Sequence, residues 1–196
     1  MASEVDICNS ALIKLGDENT ISALGEDGRE GETCELMYPL VRDRLLAAHP
    51  WNFAIGRSTL TKDTTNPAFE YTSQYHLPGD FFRAIKLYDS DERWKIETNT
   101  AGEKRLVTDE AAAKLIYIRK ITDTAQFSPL FVETLSTILA AEMAEVITGS
   151  TQKARKLFEE GELKLREAKR RDGQEGTPDS IEAEVYTSTK FTKQWW

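Results

Sequence analysis

The proline at position 50 divides this chain at its most informative point, where a helical pattern gives way to a Trp-x-Phe-Ala segment. The run 41–54 reads VRDRLLAAHPWNFA, and the run 75–83 reads YHLPGDFFR. The residue before a proline avoids helical backbone angles, so a helix is predicted to end next to Pro50. Neither run contains a catalytic nucleophile, a cluster of metal ligands or a phosphate-binding loop. Both runs therefore indicate architecture, and they favour a protein that assembles over one that catalyses.

The composition fits one soluble domain, or one domain with a lobe and a tail. The chain has 196 residues, of which 40% are hydrophobic and 30% are charged, so it can fill a core. Its formal net charge of -8 argues against a protein that wraps duplex DNA, because such a protein needs a basic surface to displace counterions. Taken alone, the charge is best explained by ordinary solvation, although it also suits a surface that repels nucleic acid.

The two cysteines, Cys8 and Cys34, lie far apart in the sequence and belong to no Cys-x-x-Cys pair. Cys34 occupies an apolar helical position, so two buried free thiols are predicted in preference to a disulfide or a metal site. This prediction suits a reducing compartment. Residues 1–6 show no signal-peptide pattern, and the longest apolar runs are too short to span a bilayer. We therefore expect synthesis in the cytoplasm and no membrane partner.

Apolar spacing and helix-breaking residues predict two helices before Pro50. Ser3 can cap the first helix, which is predicted to end at Gly16. The second helix is predicted over about residues 32–48. Pro39 lies inside it and predicts either a kink or a short first turn before a longer helix.

Two further helices are predicted in the C-terminal half. Ser128 followed by Pro129 is typical of a helix start, and Gly149 is expected to end this third helix. The fourth helix is predicted over about residues 151–171, with acidic residues early and basic residues late, as the helix dipole favours. Residues 172–178 then form a linker rich in helix-breaking residues.

The middle of the chain predicts strands, because β-branched and aromatic residues recur there between turn residues. Residues 99–102 suit a hairpin loop between two of the strands. We expect these strands to form one small antiparallel sheet. The predicted strands are 51–60, 82–88, 94–98, 104–107 and 114–121.

Together these patterns predict an α+β fold. Residues 1–50 and 128–172 are expected to form a helical bundle from both ends of the chain. Residues 51–127 are expected to form an inserted antiparallel β region, and residues 173–196 an extended C-terminal arm.

The polar residues do not group into a recognisable catalytic or metal site. His49 lies at a predicted helix end and His76 beside a Leu-Pro turn, where a packed ring or a helix-terminal cation explains each better than catalysis. Glu142 and Glu145 lie on one helix, but a carboxylate-bridged metal site also needs a Glu-x-x-His pair on partner helices. No Gly-x-Ser-x-Gly elbow occurs. We therefore expect no catalytic residues, no metal and no cofactor.

Three aromatic residues near the end of the sequence follow the linker and lie outside the pattern of the fourth helix: Phe191, Trp195 and Trp196. Exposed tryptophans are costly, so we expect these side chains to be buried somewhere. They can fold back onto their own domain, or they can anchor in a pocket or at a sheet edge of a partner chain.

The two runs resemble the tail tubular protein A family of short-tailed bacteriophages (podoviruses). They are also similar to the corresponding head-to-tail adaptors, or connectors, of related phages and gene transfer agents. The resemblance covers most of the chain in order, from helical start through β middle to helical end and trailing tail. The matching residues are Arg42, Asp43, Leu45, Trp51, Phe53, Ala54, Tyr75, Leu77, Pro78, Asp80 and Arg83.

The resemblance implies a structural protein of the virion, without catalytic function. Members form a ring, usually of twelve subunits, beneath the portal protein, and the ring supports the next tail protein, such as the nozzle. Double-stranded DNA passes through the lumen without specific binding, both when the genome is retained and when it is ejected. The C-terminal segment of related adaptors attaches to the portal, which gives residues 178–196 a docking role. Phe191, Trp195 and Trp196 are then candidate portal-binding residues.

Two other functions remain open on the sequence alone. A small cytoplasmic regulatory or interaction protein would bind a peptide through its helices, and it would be a stable monomer or dimer. An enzyme with a dispersed carboxylate site has no positive support in the sequence, and a pocket of convergent, strongly perturbed titratable groups would be needed to favour it.

Overall fold

Residues 2–176 are described by the computed structural model, and they form four α-helices and two three-stranded antiparallel sheets. The predicted α+β class is confirmed, with both sheets inserted between the second and third helices. The helices are α1 (Glu4–Lys14), α2 (Arg29–Ala47), α3 (Pro129–Thr148) and α4 (Thr151–Asp172). The strands are β1 (Ile55–Thr59), β2 (Ser73–His76), β3 (Phe81–Leu87), β4 (Trp94–Thr98), β5 (Lys104–Thr108) and β6 (Lys114–Arg119). Of the predicted C-terminal arm, residues 177–196 lie outside the described residues.

The helix ends follow the capping residues read from the sequence. The Ser3 side chain accepts a hydrogen bond from the Asp6 backbone N–H at 3.1 Å, and the Asp6 carboxylate accepts one from the Ser3 N–H at 2.8 Å. This reciprocal pair satisfies two backbone donors at the start of α1. At α3 the Ser128 side chain accepts a hydrogen bond from the Phe131 N–H, without a reciprocal bond, and Gly149 ends the helix with a φ of 66°.

The second helix is longer than predicted, since α2 begins at Arg29 and runs without interruption through Pro39. The alternative of a short separate first turn is therefore wrong, whereas a kink at Pro39 stays a prediction. The early start has a physical cause. Gly28 adopts a φ of 128° before the helix, and Glu30 and Glu32 then lie in its first turn, where the helix dipole favours acidic groups.

The first predicted strand begins later than expected, because residues Asn52–Ala54 form a 3₁₀ turn and β1 starts at Ile55. The expectation of a strand from Trp51 was wrong because the Trp51 side chain is buried among the helices. Its indole N–H donates a hydrogen bond to the Leu45 carbonyl oxygen of α2 at 2.9 Å. The first aromatic residues of this run pack into the helical core, and the chain joins the sheet only after them.

The expectation of a single sheet was also wrong. An inner sheet has the strand order β1-β6-β3, and an outer sheet has the order β2-β5-β4. Strand β2 overlaps the start of the run 75–83 and was not predicted, because four residues beside a Leu-Pro turn give too short a pattern. The predicted hairpin loop is present between β4 and β5. It is closed by a hydrogen bond from the Asn99 N–H to the Glu103 carbonyl oxygen.

The inner sheet lies between the helices and the outer sheet. Ile118 of β6 is buried in the core that the helices form. Leu115 and Tyr117, on the opposite face of the same strand, pack with Leu106 of β5 in a second core between the sheets. This alternation along β6 explains why one strand can serve two cores.

Helix α3 is the centre of the bundle, and α1, α2 and α4 all pack against it. Its buried residues occupy most of its circumference, as expected for a helix surrounded by other elements. Gly161 allows α4 to approach α3 closely, because a Cβ atom at this position would lie 2.6 Å from Cγ1 of Ile138. The close approach of the two helices therefore depends on a missing side chain.

Both cysteines are buried and free, as predicted. Although they are distant in sequence, Cys8 of α1 and Cys34 of α2 are hydrogen-bonding neighbours, and the hydrogen bond together with burial raises the pKa of the Cys8 thiol. The Cys34 sulfur also lies 3.8 Å from the Met143 sulfur of α3. The thiols therefore act as small apolar groups at the meeting point of three helices.

We expect Gly161→Ala to destabilise the fold by about 1 kcal/mol, although alanine is the better helix former. The cause is the clash with Ile138, so the same change should become stabilising in an Ile138→Ala background. Urea unfolding of the single and double variants, followed by circular dichroism, measures both effects. Gly79→Ala is the control, because a Cβ atom at Gly79 meets nothing within 4 Å. Equal effects in both backgrounds would contradict the packing explanation.

Candidate functional site at the bundle–sheet joint

The first motif run folds into the joint where the bundle meets the inner sheet. Trp51 is completely buried, and its ring lies edge-on to Phe131 of α3 with centroids 5.1 Å apart. Phe53 stacks near Trp51 at 6.0 Å and contacts Phe127 at 5.8 Å. The aromatic rings therefore connect the end of α2, the start of β1 and the start of α3. The His49 ring packs against Trp51 at 4.8 Å, in keeping with the prediction of a packed ring.

Arg42 and Asp43 form the charged part of the same joint. The Arg42 guanidinium is almost fully buried, donates to the Asp43 carboxylate at 2.8 Å, and lies 3.7 Å from the Glu4 carboxylate of α1. It also lies over the Tyr38 ring, 5.7 Å from the centroid. A buried arginine is tolerated because these partners compensate for its lost hydration. The contact between Arg42 and Glu4 therefore links α2 to α1.

The second motif run begins in the core between the two sheets. Tyr75 of β2 is buried, and its hydroxyl donates to the Glu110 carbonyl oxygen at 2.8 Å. Leu77 packs against the same core. Pro78 then opens a tight turn, and its carbonyl oxygen accepts from the N–H of Phe81 at 3.0 Å.

The end of the second run reaches the surface. Asp80 is exposed as a residue, but its carboxylate accepts a hydrogen bond from the Tyr117 hydroxyl at 2.9 Å. Burial of the hydroxyl, together with that bond, raises the pKa of Tyr117 to about 12. Arg83 lies on β3 with its side chain exposed. Asp80 therefore ties the turn to β6, whereas Arg83 takes no part in either core.

Lys120 connects the two motif runs, a role that no sequence pattern indicates. Its backbone N–H donates to the Asp80 carbonyl oxygen at 2.7 Å, and its ammonium group lies 3.0 Å from the Asp43 carboxylate. Lys120, the first residue after β6, therefore contacts both the turn of the second run and the helix of the first run. A lysine beyond a strand in a linear sequence looks like any solvated charge, so only the tertiary structure shows this contact.

Asp172, the last residue of α4, is a second residue that sequence reasoning missed. Its buried carboxylate accepts a hydrogen bond from the Asn52 N–H at 3.0 Å and lies 3.0 Å from His49 Nε2. The Asn52 side-chain amide donates to the Asp172 carbonyl oxygen. An acid at a helix C-terminus opposes the helix dipole, and that unfavourable placement was the available signal of a specific partner. Asp172 fastens the end of α4 to the joint.

A separate ion-pair cluster lies beside β2. The Asp63 carboxylate accepts from the Thr65 N–H at 3.1 Å and from Arg105 Nε at 3.1 Å. These hydrogen bonds lower the pKa of Asp63 from 3.8 to about 2. His76 Nε2 lies 3.6 Å from the same carboxylate, on the exposed side of the strand. The cluster holds the 61–65 loop against the outer sheet.

The remaining candidates do not converge with these clusters. Glu142 pairs with Arg44 of α2 at 2.7 Å and Glu145 is exposed, as expected for a solvated helix face. Within residues 2–176 no three His, Cys, Asp or Glu side chains are grouped to hold a metal ion. Over the same residues, no helix has the length and apolar character needed to cross a bilayer. The candidate portal-binding residues Phe191, Trp195 and Trp196 lie outside the described part of the chain.

Comparison with known proteins adds no family or relative to this geometry. The sequence matches no protein-family model, and it has no significant match among curated proteins. The resemblance to phage adaptors stays a prediction from the residues of the two motif runs.

We expect Asp172→Ala to destabilise the protein by about 1–3 kcal/mol, because it leaves the Asn52 N–H without its acceptor. Glu167→Ala is the matched control, as Glu167 lies on the exposed face of the same helix. Chemical denaturation should separate the two variants. If Asp172→Ala lowers the free energy of unfolding no more than Glu167→Ala does, the contact between Asp172 and Asn52 contributes nothing to stability.

The Asp63 cluster predicts a specific acid sensitivity. Because the folded pKa of Asp63 lies below its ordinary value, its ionised form stabilises the fold above about pH 4, and this contribution is lost as the pH falls toward 2. Asp63→Asn should therefore be less stable than the wild type at pH 6, and the difference should shrink between pH 4 and 2. Thermal unfolding across this range measures the effect. A difference that stays constant with pH would rule out the ionised carboxylate as its source.

Proposed function

We propose that this protein is a head-to-tail adaptor subunit of a bacteriophage virion, which forms a ring between the portal and the tail. The observation that carries the proposal is the connection of the two motif runs through Lys120. Apart from Arg83, the motif side chains described above make contacts within the molecule, where they position the bundle and the sheets. Residues that maintain the internal geometry suit a structural subunit, whose function depends on keeping its shape.

A ring requires subunits that keep their shape under load, since each contact repeats around the circle. The aromatic contacts of Trp51, the Asp43–Lys120 ion pair and the Asp172 attachment all restrain the bundle relative to the inner sheet. These restraints come from packing, charge and backbone hydrogen bonds, so no single one must supply all the rigidity. They support the proposal of a wedge-shaped ring subunit.

The acidic charge supports a lumen through which DNA slides. Asp89, Asp91 and Glu92 are exposed in the loop between β3 and β4, while Glu97 and Glu103 are paired with Lys95 and Arg105. We propose the carboxylates of the 89–92 loop as the lumen acids. Like-charge repulsion multiplied around a ring would keep the DNA backbone away from the wall.

Docking to the portal is assigned to residues 178–196, with Phe191, Trp195 and Trp196 as anchors. The described chain supports this assignment at one point, because Asp172 fixes the end of α4 to the bundle–sheet joint. Residues 173–176, which follow it, therefore start from a defined position. Aromatic side chains are the usual anchors of such contacts.

A small peptide-binding module is the second candidate, and one feature favours it. A cavity of about 250 Å³ opens between α2, α3 and α4, and its lining is mostly apolar. An amphipathic helix of a partner could pack there. The lining residues are Arg44, Leu45, Ala48, Ile138, Phe158, Glu162 and Leu165.

The deciding experiment mixes the purified protein with portal rings from the same genome and images the product by negative-stain electron microscopy. An added collar, with its copy number measured by mass, is the expected result. A protein that remains monomeric and leaves the portal rings unchanged would overturn the adaptor proposal in favour of the peptide-binding module.

Deletion of residues 177–196 is expected to abolish collar formation while leaving the described fold intact. The matched variant replaces Phe191, Trp195 and Trp196 with alanine and keeps the length of the chain. Circular dichroism checks folding, and cosedimentation with portal rings measures binding. Undiminished portal binding by both variants would show that the tail has no docking role.

A further inference from the structure

Strand β1 forms one edge of the inner sheet, so part of its backbone faces away from β6. The Leu60 N–H donates to the Ala113 carbonyl oxygen at 2.9 Å, and hydrogen-bonded residues alternate along an antiparallel pair of strands. Counting back from Leu60, Ser58 and Gly56 therefore bond to β6. The residues that alternate with them direct their backbone groups outward.

The outward backbone groups at the centre and end of the strand belong to Arg57 and Thr59, which are both exposed. Among residues 2–176, neither the N–H nor the C=O group of Arg57 has a hydrogen-bond partner, and the Thr59 N–H has none either. Unpaired groups in a row along a strand edge are a template for the addition of another strand. The edge of β1 is therefore open to strand addition.

Two of the other three sheet edges are protected against such addition. Residues 61–63 cover β2, because the His76 N–H donates to the Thr61 carbonyl oxygen. The register of β3 shifts at two places along the strand, and bulges of this kind prevent regular pairing at an edge. Strands β1 and β4, in contrast, keep a regular register over their whole length.

The C-terminal arm starts next to β1. Asp172, at the end of α4, accepts a hydrogen bond from the N–H of Asn52, three residues before β1 begins. Extended, the eight residues 177–184 span up to about 26 Å, whereas the five residues of β1 extend over about 17 Å. The segment that follows residue 184 can therefore reach β1 and run along it in either direction.

The arm contains one segment with the composition of a strand. In the run 185–192, VYTSTKFT, six of the eight residues are β-branched or aromatic, and such residues favour strands. The preceding run 177–184, TPDSIEAE, is rich in acidic and turn-forming residues instead. Residues 185–192 are therefore the part of the arm that suits pairing with a free edge.

A cavity beside the edge offers a place for a side chain of the added strand. It has a volume of about 410 Å³ and is lined by residues of β1 and β6 and by the exposed Tyr88. Strand addition combines main-chain hydrogen bonds with pockets for alternate side chains. The segment carries two aromatic side chains for such a pocket, Tyr186 and Phe191.

We propose that residues 185–192 add to β1 of the same chain as a fourth strand of the inner sheet. They supply the backbone partners that Arg57 and Thr59 lack. The chain's own arm is the occupant because a tethered segment meets the edge at a high effective concentration. The inference goes beyond the proposed function and does not depend on it. Trp195 and Trp196 follow the segment, so they stay available to the portal.

Amide hydrogen exchange, followed residue by residue by NMR, tests the pairing in the full-length protein. The Arg57 and Thr59 amides should be protected in the wild type and exchange at least about tenfold faster after deletion of residues 177–196. The Gly56 and Ser58 amides bond to β6, so their continued protection reports that the sheet is intact. The outward amides of β4 are the control edge and should be unaffected by the deletion.

Two full-length variants separate pairing from the mere presence of the arm. Thr187→Pro combined with Ser188→Pro places proline at adjacent positions, one of which faces β1 in any register, and proline cannot donate a ladder hydrogen bond. This variant should exchange like the deletion. Lys193→Pro combined with Gln194→Pro is the matched control beyond the segment, and it should exchange like the wild type.

Three results would overturn the proposal. Equal exchange of the Arg57 and Thr59 amides in the wild type and the deletion variant would show that the arm does not pair with β1. Equal protection in both proline variants would exclude residues 185–192 as the added strand. Protection that an isotope-labelled deletion variant regains from unlabelled full-length protein would assign the arm to a second copy. Protection that is independent of protein concentration supports pairing within one chain.

Discussion

The burial of the Trp51 indole is the interaction on which the rest of the structure depends. The residue follows the proline that ends α2, and its N–H group binds the Leu45 carbonyl oxygen at that helix end. Its ring faces Phe131, so the start of α3 is placed by the same side chain. Without this anchor, the chain would leave α2 with no fixed direction, and the inner sheet would have no defined position beneath the bundle. The other contacts of the joint refine an arrangement that Trp51 establishes.

Local chemistry explains why the helices could be predicted closely. Ser3, Ser128 and Gly149 act on backbone groups only a few residues away. Their effect on a helix end can therefore be predicted from the adjacent sequence. The alternation along β6 could be predicted for the same reason. The division into two sheets could not, because strand pairing is a long-range choice among similar short patterns. Trp51 was assigned to a strand because its side chain suits a strand as well as a core.

The candidate site was only partly visible in the sequence. The motif runs could be recognised as architecture, yet the residues that unite them, Lys120 and Asp172, belong to no pattern. Each acts through a partner far away in the chain, and a charged side chain gives no indication of its distant partner. The same holds for the thiols Cys8 and Cys34, which become neighbours only when α1 packs on α2. Long-range polar pairing is thus the information that sequence periodicity lacks.

The attachment of Asp172 has a mechanical consequence. A pull on the chain beyond Gly176 would not first peel α4 from α3, because the end of α4 is held to the Asn52 backbone. The force would instead pass through Asn52 into the neighbouring Trp51, and from there into both α2 and the inner sheet. Tension would thus be shared between the helical and the β parts of the molecule from its first point of entry.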